Sequence, residues 1–156
     1  MADRLEKMID RHGGDILRSE GMALEKEFIQ HGRISVYTHS RNVARMSLRI
    51  ALALGRTGIK VDRRSLIRGA LLHDYFLYDW HEKRISIRSP LKMHGFTHAG
   101  TALKNAQHDF RLNARERDII EKHMFPLNIR PPRCREAVIV CCADKICAVI
   151  ETVHRR

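Results

Sequence analysis

Apolar residues return every three or four positions along most of this chain, the interval of a helix face rather than of a strand. A first amphipathic helix is expected over about residues 2–12, stopped by Gly13-Gly14. A second follows over about 15–30, interrupted at Gly21 and ending before Gly32. Ser35 reads as the N-cap of a long helix over about 36–54, closed by Gly55, and Asp62 as the N-cap of one over about 63–74. Residues 76–95 read as irregular, with Ser89-Pro90 and Gly95 as breakers. Helices are then expected over about 97–108, over about 114–124 with Asn113 as cap, and over about 134–154 beyond the Pro131-Pro132 loop. Alternation of period two is absent; Val138-Ile139-Val140 is β-branched but runs on into a helical pattern. The expectation is an all-α fold, a single compact multi-helix domain.

Composition changes this picture little. A chain of 156 residues, 44% hydrophobic and 30% charged, is that of one globular domain with a real core. No apolar run approaches the roughly 20 residues of a membrane span, and residues 1–7 lack a signal-peptide core. A cytoplasmic protein without membrane partners is therefore expected. Cys134, Cys141, Cys142 and Cys147 show no metal-binding C-x-x-C spacing and read as buried thiols of a reducing compartment.

Charge says more. The net charge is +11, and it is unevenly spread: residues 1–27 carry −2 and the remainder +13. Such a field attracts anions, whether nucleotides, phosphorylated metabolites, nucleic acid or an anionic membrane, and does not choose among them.

Candidate chemistry centres on His73-Asp74, which ends the apolar stretch Ala70-Leu71-Leu72 and is followed by Tyr75-Phe76-Leu77. A carboxylate beside an imidazole in buried surroundings is costly unless a partner, such as a divalent cation, satisfies both. The pair alone is weak evidence, because His108-Asp109 repeats it in a polar context that reads as a solvated helix end. Other residues strengthen it. His39 shares a helix face with Val43, Met46 and Ile50. His98 lies on a face with Ala102 and Leu103 or Ala106, His123 follows Ile119 and Ile120, and Asp144 lies on a face with Ala137, Val140, Cys141 and Ala148. Taken singly, each inward histidine is most simply a hydrogen-bonded core residue. Six such groups in one small helical domain are hard to satisfy in pairs without a shared cation. His12, His31, His81, His108 and His154 sit in polar or terminal contexts and receive no role.

The order His39, His73-Asp74, His98, His123, Asp144 resembles the HD superfamily of metal-dependent phosphohydrolases over about residues 35–150. Its H…HD…D motif is matched by His39, His73-Asp74 and Asp144, and the two further histidines of two-metal members by His98 and His123. The segments Tyr37-Thr38-His39-Ser40-Arg41-Asn42-Val43, Phe96-Thr97-His98-Ala99-Gly100 and Ala143-Asp144-Lys145 carry the same likeness. The chain looks most like small bacterial HD proteins and is more distantly similar to HD hydrolases of diadenosine tetraphosphate. It departs from the pattern after the HD pair, where Tyr75-Phe76-Leu77-Tyr78 stands in place of Ile-Gly and a basic residue, so that aromatics line the site. It departs again at Ala99, where relatives often have proline.

The resemblance implies an HD-type domain over 35–156, preceded by a helical extension over 1–34 packed on its core. It implies that His39, His73, Asp74 and Asp144 hold one divalent metal, that Asp74 bridges to a second completed by His98 and His123, and that His73 and Asp74 are catalytic. One or two ions are expected, with iron, manganese, cobalt or zinc suiting this donor set better than magnesium alone. A metal-activated water would then cleave a phosphate ester or anhydride of a phosphorylated small molecule or nucleotide. His94, Lys145 and Arg41 are candidate substrate contacts, with Arg45 on the same footing as Arg41, although solvation is the simpler reading of Lys145 and both arginines. Tyr78 and Trp80 are candidates for stacking on a base, with core or lid packing the simpler reading. The alternative is a catalytically weak nucleotide- or RNA-binding module that keeps a metal only as a staple. Nucleic acid is not the favoured partner, and the oligomeric state is not encoded in any motif. The scheme requires Asp144 to lie within about 8 Å of the His39 imidazole, given metal–ligand bonds of about 2 Å.

Overall fold

In the computed structural model the described residues are 2–31, 33–77 and 90–153, with side chains for 3–30, 33–77 and 98–153. Tyr78, Trp80, His81 and His154 lie outside them, as do the side chains of His31 and His94. Among the described residues there are seven helices and one short ribbon: α1 (Ala2–Leu17), α2 (Glu20–Leu24), β1 (Ile29–His31), β2 (Ile34–Ser35), α3 (Val36–Gly55), α4 (Arg63–Leu72), α5 (Pro90–Asp109), α6 (Ala114–Lys122) and α7 (Arg135–Val153). The fold is all-α in its architecture, and the expected helices from α3 onward are all present.

Helix α4 is the axis of the bundle. Every residue from Ser65 to Leu72 is buried, the mark of a helix enclosed on all sides. Helices α1, α3, α5, α6 and α7 all pack against it. Its one buried cation, Arg68, is ion-paired with Asp15 of α1 at 2.7 Å and Glu116 of α6 at 3.2 Å. The expected caps are in place: Ser35, Asp62 and Asn113 each accept a hydrogen bond from a backbone N–H of the first turn. Asn113 and Glu116 form a reciprocal capping box.

Three expectations are corrected. Helix α1 does not stop at Gly13-Gly14 but continues to Leu17. A Cβ on Gly13 would lie 2.3 Å from Leu71 Cδ1, so glycine serves here as the point where α1 closes onto α4. The expected second helix is broken after five residues. Ser19 caps α2, and the chain then forms the antiparallel β1–β2 ribbon, with Ile29 opposite Ser35 and His31 opposite Ile34. A ladder this short is invisible to a period-two search. Finally, α5 starts at Pro90, inside the segment read as irregular, and runs unbroken through Gly95. Proline breaks a helix from within but suits its first position, where its missing N–H costs nothing.

Candidate metal centre

Each candidate ligand is delivered by a different part of the bundle. His39 lies in the second turn of α3. His73 is the C-cap residue of α4, and Asp74 follows it. His98 lies within α5, His123 is the C-cap residue of α6, and Asp144 lies within α7. All four histidines and Asp74 are buried.

The six side chains converge. His39 Nε2 is 3.0 Å from Asp144 Oδ1, well inside the 8 Å limit set from the sequence. Asp74 divides its carboxylate between two sets of imidazoles. Its Oδ2 lies 3.8 Å from His39 Nε2 and 3.4 Å from His73 Nε2. Its Oδ1 lies 2.7 Å from His98 Nε2 and 3.3 Å from His123 Nε2. Asp144 Oδ1 also approaches His73 Nε2 at 3.6 Å. Two groups of three donors result, His39–His73–Asp74 and Asp74–His98–His123, each with its donor atoms within 4.8 Å of one another.

The orientation of the rings fixes which nitrogen each one turns toward the cluster. At the C-caps of α4 and α6, His73 Nδ1 donates to Ala70 O at 2.7 Å and His123 Nδ1 to Ile120 O at 2.8 Å. Each ring thereby satisfies a carbonyl that the helix end leaves open. In the neutral form of each ring, that bond places the proton on Nδ1 and leaves a lone pair on Nε2. Both Nε2 atoms are buried and make no hydrogen bond, yet both face carboxylate oxygens. Lone pairs facing carboxylates across 3.3–3.6 Å repel unless a positive charge stands between them. A proton or a divalent cation would supply that charge, and the donor set fits a divalent one.

The electrostatics agree. Burial drives Asp74 toward its neutral form, but the surrounding His73, His98 and His123 prevail and hold it well below the usual carboxylate range. Asp144 is likewise depressed: burial pushes it up, but its hydrogen bond with His39 and the proximity of His73 outweigh that. Burial opposes a charge on His39, yet hydrogen bonds with Asp144 and Glu151 and the field of Asp74 push its pKa up to about 10. Without a metal, a proton on His39 offsets part of the charge of these carboxylates. Burial lowers His123 below its ordinary value, which favours the neutral imidazole that a metal needs.

Three residues the sequence reading passed over surround the cluster. Glu151 accepts from His39 Nδ1 at 2.7 Å and from Asn42 Nδ2 at 2.9 Å, orienting the ring from behind. It lies seven residues after Asp144, so the helical period held a signal for it. Gln30 of β1 donates to Asp74 Oδ2 at 2.5 Å. Glu25, the C-cap residue of α2, is fully buried. Neither of these last two has a local signal. The aromatic lining expected after the HD pair is present in part: the Phe76 ring lies 4.4 Å from that of His98. Tyr75 turns away, and its hydroxyl donates to Asp109.

The candidate substrate contacts are placed differently. The Arg41 guanidinium is engaged by Glu6 of α1 and the Tyr37 hydroxyl, and Arg45 pairs with the same Glu6 at 2.6 Å. Both arginines clamp α1 to α3, and none of these bonds goes to the cluster. The Lys145 ammonium donates to His123 O at 3.1 Å and to Cys141 O at 3.3 Å. It thus supports the end of α6 from behind. The His94 backbone lies in α5, and its side chain is outside the described residues. Of the cysteines read as buried, Cys141 and Cys147 are; Cys142 is exposed on the outer side of α7, and all four are free thiols.

Comparison with protein-family models matches residues 36–149 to the HD domain. The chain belongs to the HD domain family, whose members bind divalent metals and are mostly hydrolases. No curated protein matches the chain, and no solved structure does. Among the described residues, no helix is long and apolar enough to cross a membrane.

Proposed function

We propose that this protein is a metal-dependent phosphohydrolase that cleaves a phosphate ester or anhydride of a nucleotide-like substrate. The observation that carries the reading is the sharing of Asp74 between two three-donor groups, with the buried Nε2 atoms of His73 and His123 turned toward it without a hydrogen bond. Bound at such a site, a divalent metal would supply Lewis-acid chemistry toward a phosphoryl oxygen and toward water. His39, His73, Asp74 and Asp144 would hold one ion and His98, His123 and Asp74 a second, with iron, manganese, cobalt or zinc suited to the histidine-rich set.

The protein's own groups do the rest. Glu151 and the carbonyls of Ala70 and Ile120 fix the imidazoles so that the site is arranged before substrate arrives. Gln30 orients the Asp74 carboxylate. Phe76 shields one side of His98 from water. The +13 carried by residues 28–156 draws a polyanionic substrate toward the domain.

The test is metal analysis of the purified protein, combined with hydrolysis of a generic phosphodiester and a panel of nucleotides. Metal and turnover are expected together, and His73→Ala or Asp74→Ala should remove both. Full hydrolysis by the doubly substituted protein would reject the assignment. The net charge of +11 also suits a nucleic-acid-binding module with a structural metal. Binding that falls steeply with salt but ignores a chelator would favour that reading.

A further inference from the structure

We infer that Glu25, contributed by the segment preceding the family-matched region, is a further carboxylate of the cation centre, lending its charge and an oxygen to the metal held by His39, Asp74 and Asp144. The inference rests on the metal-binding reading above and extends it to a part of the chain that the family match does not cover.

The position of Glu25 is built from both sides. Its carbonyl accepts from Tyr37 N at 3.1 Å, two residues before His39, which fastens it to the first turn of α3. On the other side α2 presses on the residue after Asp74: a Cβ on Gly21 would lie 1.7 Å from the Tyr75 hydroxyl oxygen, so only glycine permits the approach. Glu25 therefore sits between the segments that carry His39 and Asp74. Five residues further on, Gln30 reaches Asp74 itself.

The side chain has no explanation in the protein alone. It is 0% exposed, and neither carboxylate oxygen has a hydrogen-bond partner. Other buried carboxylates among the described residues are bonded: Glu116 to Asn113 N, Glu136 to Asp62 N, and Glu151 to His39 and Asn42. A buried carboxyl with nothing to accept from is one of the costlier arrangements in a protein interior. Burial and the charge of Asp74 hold Glu25 well above the usual carboxylate range, while His39 pulls it the other way, so all three share one electrostatic neighbourhood. Cations resolve the conflict. Asp74 and Asp144 supply two negative charges, fewer than two divalent ions require, and a third carboxylate reduces the excess.

The experiment is calorimetric titration of chelator-stripped protein with Mn²⁺ alone, for the wild type, Glu25→Gln and His73→Ala, together with thermal unfolding of each without metal. Partners that merely orient a ligand are worth about 10–100-fold in metal affinity. Glu25→Gln should therefore weaken Mn²⁺ by at least about tenfold, while the metal-free variant is as stable as the wild type or more so. A structural role predicts the reverse, with stability lost and affinity kept. Mn²⁺ affinity within twofold of the wild type overturns the inference while the metal site stands, provided His73→Ala has lost binding. If the wild type binds no metal, both readings fall. Glu25→Met, which fills similar volume without a polar group, serves the same test if the amide variant does not fold.

Discussion

Replacing His123 by asparagine separates the work of its two ring nitrogens. The asparagine amide keeps a donor where Nδ1 now reaches Ile120 O at 2.8 Å, but it has no atom at the position of Nε2. In the metal-free protein Nε2 makes no hydrogen bond and lies 3.3 Å from Asp74 Oδ1. Removing a buried polar atom that lacks a partner recovers about 1–3 kcal/mol. The smaller side chain leaves a void, and at about 24 cal/mol per Å³ a void of about 40 Å³ costs ~1 kcal/mol. The metal-free variant should thus lie within about 2 kcal/mol of the wild type.

Metal binding should respond differently. A ligand present at 100 times its Kd stabilises the native state by about 2.7 kcal/mol. If the lost donor weakens binding about 100-fold, the upper range seen for mere orienting partners, the same concentration equals the new Kd and contributes ~0.4 kcal/mol. At this chain length 1 kcal/mol moves Tm by about 2–4 °C. The Mn²⁺-induced rise should therefore shrink from about 5–11 °C to about 1–2 °C. Thermal unfolding of chelator-stripped protein with and without Mn²⁺ reads both quantities. A metal-induced rise equal to that of the wild type would refute the reasoning, above all if the metal-free variant had lost several kcal/mol, because His123 would then be a packing residue.

Two further outcomes follow from the same structure. With its pKa pushed up to about 10, His39 carries a proton through neutrality in the metal-free protein. This value lies above the unfolded value of about 6.5, so the stabilisation is complete below about pH 6.5 and is lost as pH rises toward 10. Metal must displace that proton, so affinity should climb by up to about tenfold per pH unit in this window. Titrations in buffers of differing ionisation enthalpy should count the released proton, and no release between pH 7 and 9 would contradict the scheme. At Gly69, a Cβ would lie 2.5 Å from Ile119 Cδ1 and 2.8 Å from its Cβ and Cγ2. Gly69→Ala should cost about 1–3 kcal/mol in urea unfolding and, by prising α4 from α6, part Asp74 from His123 and weaken metal binding. Unchanged stability would show that the two helices tolerate a wider spacing.

Much of the fold and of the candidate site was legible because it is written in local terms. Ser35, Asp62 and Asn113 cap the helices they precede through bonds to the next turn, an interaction that needs no distant partner. The inward faces of His39, His123 and Asp144 follow from the helical period alone. Local reading failed where a residue's meaning depends on what packs against it. Gly13-Gly14 looks like a stop until α4 lies across it, and Pro90 looks like a breaker until it stands at the first position of α5. Arg41 looks available to a substrate until α1 brings Glu6 to it.

The sequence by itself determined which donors exist, in what order they occur and which helix faces carry them. Only the tertiary structure decided that Asp74 stands between two sets of imidazoles, that the C-caps of α4 and α6 turn two ring nitrogens toward it, and that Glu25, Gln30 and Glu151 surround the cluster. The reason is range. Capping and periodicity act within a turn or two, whereas a carboxylate meets an imidazole 112 positions away, as Glu151 meets His39, only after the helices between them have packed.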